Sequence, residues 1–364
     1  MRGVSVEWRA NFERLLRVLW LEQPDVVPLY EHFVDLEVIE ALTGERISAV
    51  DLTTRKGKLK YVQVLVEFYK RLGYDYVPLE LPLKLPRDNV LVAGDTAPLS
   101  RGLRVWQDEN RGVIEVREDY DSYPWPDPEE AVDYELMELL CKELPSDMGV
   151  VGGVAGGVLE HVMWLMGSKP FFKALYRDRV LIERMFDTVG GLIYEVDKRI
   201  VEFERVGVLR MGDDMGFRKG TLISPGHLRR YVFPWQKKCA ELAHRHGKPF
   251  ILHSCGNLET VMEDLIEYVK IDAKHSFEDA IMPVAEAKKR YGDRIAILGG
   301  VDVDKMARLP LREFKHYVRR VLMDCAPGGG YALGSGNSVT NYVKIENYLA
   351  MIDMRKRYGM YPKP

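Results

Sequence analysis

The order of apolar runs and turn residues predicts an α/β fold, a single (β/α)8 TIM barrel with an N-terminal helix and a hairpin insertion before its third strand. Three observations carry that prediction. From about residue 206 onward, short apolar runs alternate with longer segments of helical period, the rhythm of βα units. Eight such runs can be counted along the chain. Helix-period segments follow nearly every one, which favours a closed parallel barrel over an open doubly wound sheet.

Residues 1–24 form the N-terminal helix: Arg2, Glu7, Arg9, Glu13, Arg14 and Arg17 interleave with apolar residues, too charged a pattern for a secretory signal. Strands one and two fall at 25–29 and 74–79, around a helix at 60–72. The stretch 90–120 breaks the rhythm and reads as the inserted hairpin, with arms at 103–108 and 112–118 flanking Glu109-Asn110-Arg111. A helix at 128–143 and strand three at 148–151 follow. The remaining strands lie at 207–211, 249–253, 271–275, 295–298 and 330–333, with helices at 225–246, 258–269, 283–291, 311–325 and 344–358. Ser224 ahead of Pro225 is a cap followed by proline at the first helical position. The expected extent of the barrel is one domain, 1–364.

Composition excludes several functions. The 364 residues carry 52 Lys and Arg against 55 Asp and Glu, a net charge of −3, so no electrostatic footprint for nucleic acid or an anionic membrane exists. No uncharged apolar run approaches the roughly 20 residues of a membrane span. Cys141, Cys239, Cys255 and Cys325 are too few and too scattered for a secreted disulfide scaffold. The expected compartment is the cytoplasm.

In a barrel of this kind chemistry belongs where strands end and βα loops begin. That places Glu31 and His32 after strand one, Glu80 after strand two and Asp213-Asp214 after strand four. His253 and Cys255, His275, Asp302, and Ser335 with Asn337 and Ser338 follow the later strands. His253 and Cys255, two apart on an extended segment, face one point, and an imidazole converging with a thiolate is half of a zinc site. A third ligand must come from a neighbouring loop, and His275, Asp213, Asp214 and Glu80 are the candidates. The alternative is a hydrogen-bonded core histidine beside a small buried thiol. Adjacency points Asp213 and Asp214 in different directions, so at most one serves the chemistry; the alternative is a turn in which one of them caps a following helix. The glycine-rich run 149–157 lacks phosphate-loop spacing and reads either as a close backbone approach under a substrate or as plain loop flexibility.

At these residues the sequence resembles the uroporphyrinogen decarboxylase superfamily. The motifs are Gly212-Asp213-Asp214, Leu222-Ile223-Ser224-Pro225, His253-Ser254-Cys255-Gly256, Tyr291-Gly292-Asp293-Arg294, Gly299-Gly300-Val301-Asp302, Pro327-Gly328-Gly329-Gly330-Tyr331 and Glu346-Asn347-Tyr348. That superfamily also holds zinc methyltransferases that pass a methyl group between a corrinoid protein and a thiol such as coenzyme M. True decarboxylases carry an arginine-rich segment after strand one and an aspartate after strand two; here Pro28-Leu29-Tyr30-Glu31-His32-Phe33 contains no arginine, and the second position offers Glu80. The thiol methyltransferases pair His-x-Cys with a later cysteine after strand eight. His253 and Cys255 match the pair, while the later position falls at Gly336 or Asn337.

The resemblance implies a methyltransferase-type enzyme that moves a methyl group between a corrinoid protein and a thiol or other small acceptor. Zinc would be held at His253 and Cys255 with His275 or an aspartate, and the methylcorrinoid would be supplied by the partner protein. Asp213, Asp214, His32 and Glu31 would carry catalysis, and Glu80, Ser335 and Asn337 would bind substrate. A homodimer is left open as the assembly. Two alternatives stand beside this reading: a decarboxylase or lyase acting on a small acid or porphyrinogen-like substrate, and a corrinoid-binding protein without catalysis.

Overall fold

In a computed structural model that describes residues 9–87, 90–108 and 110–361, seven parallel strands curl around a shared interior. They are β1 (Tyr76–Pro82), β4 (Gly149–Ala155), β5 (Val206–Gly212), β8 (Phe250–His253), β9 (Ala273–His275), β10 (Ala296–Leu298) and β11 (Tyr331–Ala332), hydrogen-bonded in that order. Between them lie two antiparallel ribbons, β2 (Val90–Gly94) with β3 (Leu103–Gln107) and β6 (Gly216–Phe217) with β7 (Gly220–Thr221). The strands are mostly apolar and buried, as parallel strands covered by helices must be; β8 is buried along its whole length. The fold is a (β/α)8 barrel.

Its first position is filled by the extended residues 26–30. Leu29 bridges Leu333 in parallel, and the Tyr30 N–H donates to the Leu333 carbonyl at 2.8 Å. No full ladder forms here, because Pro24 and Pro28 lack the N–H groups that a ladder needs. The strand expected at 25–29 is therefore a pair of isolated bridges. On the side facing β1 the seam is made by a side chain. The Tyr76 hydroxyl accepts from the Glu31 N–H and donates to the Glu31 carbonyl, both at 2.8 Å, and the Tyr30 and Tyr76 rings stack 5.8 Å apart.

Helices cover the outside. Arg55–Leu72 precedes β1, Val158–Met166 and Arg179–Ile200 follow β4, and Phe233–Arg245 follows β5. Val284–Tyr291, Leu311–Cys325 and Ile345–Tyr358 follow β9, β10 and β11. In Leu311–Cys325 the buried residues Phe314, Val318, Val321, Leu322 and Cys325 recur at helical spacing, giving one apolar stripe against the strands. The first of these helices starts at Arg55 rather than residue 60, because the Thr54 hydroxyl accepts from the Gly57 N–H at 3.1 Å and caps it. Where a helix was expected at 258–269, one tight turn and one wide turn (Glu259–Val261 and Asp264–Val269) are found instead. Among the described residues no helix is long and apolar enough to cross a membrane.

Two other expectations are corrected. The N-terminal helix runs only over Glu13–Leu19; residues 1–8 of the expected 1–24 lie outside the described residues. Phe12, just ahead of it, sets its ring against Gly149 and Gly207 at the starts of β4 and β5. The inserted hairpin exists within 90–120, but Val90–Gly94 pairs with Leu103–Gln107. Residues 117–122 are a helix, Arg117–Ser122, whose entry is fixed by Asp119 Oδ2 accepting from the Glu115 and Val116 N–H groups. In β4, Gly153 serves the sheet: a Cβ there would lie 2.0 Å from the Arg210 carbonyl oxygen of β5.

Candidate metal and active centre

Parallel register assembles the centre. Gly212 of β5 lies beside His253 of β8, and His253 lies beside His275 of β9, so three strand ends present their last residues in one row. Gly212 has no side chain, and the His32 ring fills the space: the Cβ that a larger residue would place there would lie 3.5 Å from His32 Cε1. His32 stacks on His253 with centroids 3.9 Å apart and planes 9° off parallel.

Hydrogen bonds fix the tautomers along this row. His275 Nε2 lies 3.0 Å from the Ser335 carbonyl oxygen, an acceptor only, so it carries the proton and donates. His275 Nδ1 is then an acceptor, and His253 Nδ1, 2.7 Å away, must donate to it. His253 Nε2 is left with a lone pair, which faces Cys255 Sγ at 3.5 Å and Asp214 Oδ1 at 3.7 Å. Burial pushes the pKa of His275 down to about 3 and those of His32 and His253 well below the usual imidazole value. All three rings are neutral, the form that ligates metals.

The donor atoms fall into two groups that share His253: His32, His253 and His275, and Asp214, His253 and Cys255. Tetrahedral zinc with bonds of about 2.0–2.1 Å to nitrogen and about 2.3 Å to sulfur separates its N ligands by roughly 3.4 Å and an N,S pair by roughly 3.5 Å. The 2.7 Å between His253 Nδ1 and His275 Nδ1 is a hydrogen bond and too short for two ligands of one ion. The 3.5 Å between His253 Nε2 and Cys255 Sγ fits a ligand pair. Asp214, His253 and Cys255 thus fit a divalent ion, with His275 orienting His253 from behind.

Cys255 is half-buried. Burial and the Asp214 carboxylate push its thiol up to about 12, so the sulfur is a thiol until an ion displaces its proton. Asp214 Oδ1 also accepts from the Cys255 N–H at 2.7 Å, which ties the two loops together. Asn337 donates from Nδ2 to Cys255 Sγ at 3.2 Å. The glycines around it allow this approach: a Cβ on Gly336 would lie 2.2 Å from the Phe277 carbonyl oxygen.

The neighbouring Asp213 has a different fate. It is fully buried. Oδ1 accepts from the Leu159 and Glu160 N–H groups at 3.0 and 3.1 Å, capping the helix Val158–Met166, and Oδ2 accepts from Gln236 Nε2 at 2.9 Å. Burial raises its pKa to about 7 against those hydrogen bonds. Both oxygens are engaged, so the catalytic part expected of Asp213 gives way to helix capping. Glu31 and Ser335 likewise engage one another: Glu31 is fully buried, Oε1 accepts from the Ser335 N–H at 2.9 Å, and Oε2 pairs with the Ser335 hydroxyl. Burial pushes Glu31 up to about 8. Ser335 turns its carbonyl to His275 and its remaining polar groups to Glu31, so neither residue presents a side chain to a substrate.

Glu80 forms part of a second layer. Its Oε1 takes Arg210 Nε at 2.8 Å, and its Oε2 lies 3.9 Å from His32 Nε2. Arg210, almost fully buried, also donates to the His32 carbonyl at 2.7 Å. Sequence reasoning passed over Arg210, although a charged residue on the Val206, Val208, Arg210, Gly212 face of a barrel strand was a usable signal. It also missed Ser276, whose φ of 103° is strained for a residue with a side chain. No local pattern marks such a position. Glu160 was missed too; it accepts from the Gly157 N–H at 3.1 Å, and burial together with Asp213 and Asp214 raises its pKa well above the usual carboxylate value.

A parallel barrel with metal-capable donors at the carboxyl ends of its strands defines the class, a (β/α)8 enzyme fold with its candidate centre at the usual mouth. Within that class, the chain belongs to the uroporphyrinogen decarboxylase (URO-D) family, whose sequence profile matches residues 104–358. Among solved structures it is similar to a methyltransferase from Methanosarcina mazei, at 18% identity and a TM-score of 0.71, with 95% of this chain and 98% of that one covered. It is also similar to a protein from Listeria monocytogenes described as a vitamin-B12-independent methionine synthase, at 10% identity and a TM-score of 0.50, with 97% and 98% covered. No curated protein matches the sequence.

Proposed function

We propose that this protein is a methyltransferase that moves a methyl group between a methylcorrinoid carried by a partner protein and a thiol or other small acceptor. In this reading zinc is held by Asp214, His253 and Cys255, in the cytoplasm. The observation that carries it is the convergence of an unprotonated imidazole nitrogen, a thiol and a carboxylate at ligand spacing. Membership of the URO-D family and the fold shared with a methyltransferase support it.

When bound, zinc supplies the positive charge that keeps an incoming thiol deprotonated at neutral pH. The chain's own residues do the rest. His275 holds the His253 proton on Nδ1, so Nε2 stays available. Asp214 and Cys255 supply two negative charges that match the divalent ion. His32, stacked over His253, excludes water from that face of the imidazole. The His32 Nδ1 is buried without a hydrogen-bond partner among the described residues.

Metal analysis of the purified protein and of Cys255→Ser, followed by methyl transfer from methylcobalamin to 2-mercaptoethanol, tests the proposal. The expected result is about one zinc per chain in the parent, loss of zinc in the variant, and demethylation of the corrinoid only with zinc present. A parent protein that binds no zinc at micromolar or better affinity sinks the reading. Carbon dioxide release from a small acid, with no corrinoid required, would replace it with the lyase alternative.

A further inference from the structure

Under the function proposed above, the centre would hold two sulfurs at once, Cys255 and the acceptor thiol. One must be methylated and the other spared. The surroundings of Cys255 Sγ include one N–H donor: Asn337 Nδ2 donates to it at 3.2 Å. The amide cannot turn over freely, because its Oδ1 accepts from the Ser338 hydroxyl at 3.1 Å. The Ser276 hydroxyl, 3.4 Å from the same sulfur, gives its proton to the Gly336 carbonyl at 2.9 Å and so presents only a lone pair. His253 Nε2 carries no proton. Among the described residues Asn337 is therefore the side-chain N–H donor to this sulfur.

We propose that Asn337 is a positioning residue that directs the methyl group away from Cys255. An N–H···S bond withdraws electron density from the sulfur lone pair, and a hydrogen bond to an ionised acceptor is among the stronger ones. The reaction it suppresses is self-methylation. The Cys255 sulfur would form an S–CH3 bond with its lone pair, the Co–C bond would break with both electrons remaining on cobalt, and a thioether would be left in place of an anionic ligand. An acceptor thiol that lacks such a donor would keep the greater nucleophilicity. This inference rests on the zinc methyltransferase reading.

The test uses iodomethane, which methylates a thiolate with loss of iodide and needs no partner protein. Zinc-loaded full-length parent, Asn337→Leu, Asn337→Asp and Asn337→Gln are compared, with zinc content measured before labelling. Methylation of Cys255 is read by peptide mass spectrometry against the half-buried Cys141 as internal reference. Removing the donor in Asn337→Leu and Asn337→Asp is expected to speed labelling of Cys255 about 10- to 100-fold, the order expected for one hydrogen bond to a charged group. Cys141 should be unaffected and zinc retained. Asn337→Gln, which keeps an amide, should stay near the parent. Equal Cys255 rates in zinc-retaining variants overturn this role and leave the function reading intact; loss of zinc from Asn337→Leu also overturns it, by making Asn337 a support for the metal. A parent that binds no zinc, seen before any labelling, overturns the function reading and this role together.

Discussion

The two edges of the His253 ring face different surroundings. Behind Nδ1 lies a dry, fully paired chain: His275, the Ser335 backbone and Glu31, all buried. In front of Nε2 lie Asp214, Cys255 and Asn337, part-exposed and of mixed chemistry. The adjacent aspartates repeat the contrast, with Asp213 at 0% exposure and the Asp214 side chain at 39%. One half of the centre holds geometry, and the other half keeps atoms free to react. A buried polar network rigidifies only when each member is paired, which is what the rear half achieves.

Perturbing either half should give a different signature. The largest effect is expected from Arg210→Met, which strands the Glu80 carboxylate in a buried layer: breaking one side of such a pair costs about 3–5 kcal/mol, read as a lower midpoint in urea with zinc absent. Next comes His275→Ala. It removes no ligand from the Asp214, His253, Cys255 set, yet loss of an orienting partner should weaken zinc about 10- to 100-fold, measured by competition with a chromogenic chelator. A result equal to the parent would show that the rear half does not orient His253. Asp213→Ala should cost about 1–2 kcal/mol through loss of the cap on Val158–Met166, whereas Asp214→Ala, which gives up the single bond to the Cys255 N–H, should cost less, about 0.5–1 kcal/mol, and release zinc. Matching stability losses in the two would erase the distinction between them.

The remaining signature is a slope with pH. Glu31 has its pKa raised by burial from an ordinary 4.5 to about 8, so the folded protein holds that proton over a range in which the unfolded chain has released it. Its contribution is full at low pH and is lost as pH rises from about 4.5 to about 8. Glu31→Gln carries no such proton, so its stability relative to the parent should improve steadily across that window. A flat difference between pH 4.5 and 8 would show that burial does not govern this carboxyl.

The same contrast explains what was legible in the sequence. The later barrel strands could be read because each is a short apolar run ended by polar or glycine residues, and His253 with Cys255 could be read because two-residue spacing on an extended segment is local. The choice between Asp213 and Asp214 could not, since the N–H groups that claim Asp213 belong to Leu159 and Glu160, some fifty positions earlier. The roles of Glu31 and Ser335 were hidden for the same reason, their pairing spanning nearly the whole chain. Strand one escaped correct description because its prolines forbid a ladder while its apolar residues imitate one. The hairpin was misregistered because Val90, Leu91, Val92, Leu103, Val105 and Trp106 are exposed, so no in-out alternation marks its arms.

Tyr76 deserves a last consequence. On the side where the first position of the barrel meets β1, a phenolic hydroxyl stands in for the rungs that join every other neighbouring pair. Phenylalanine at 76 would keep the ring stack and the volume while orphaning both the amide and the carbonyl of Glu31. The circle would then be open at one joint, and the wall that carries His32 over His253 would be anchored only from the β11 side and by the Arg210 bond to the His32 carbonyl.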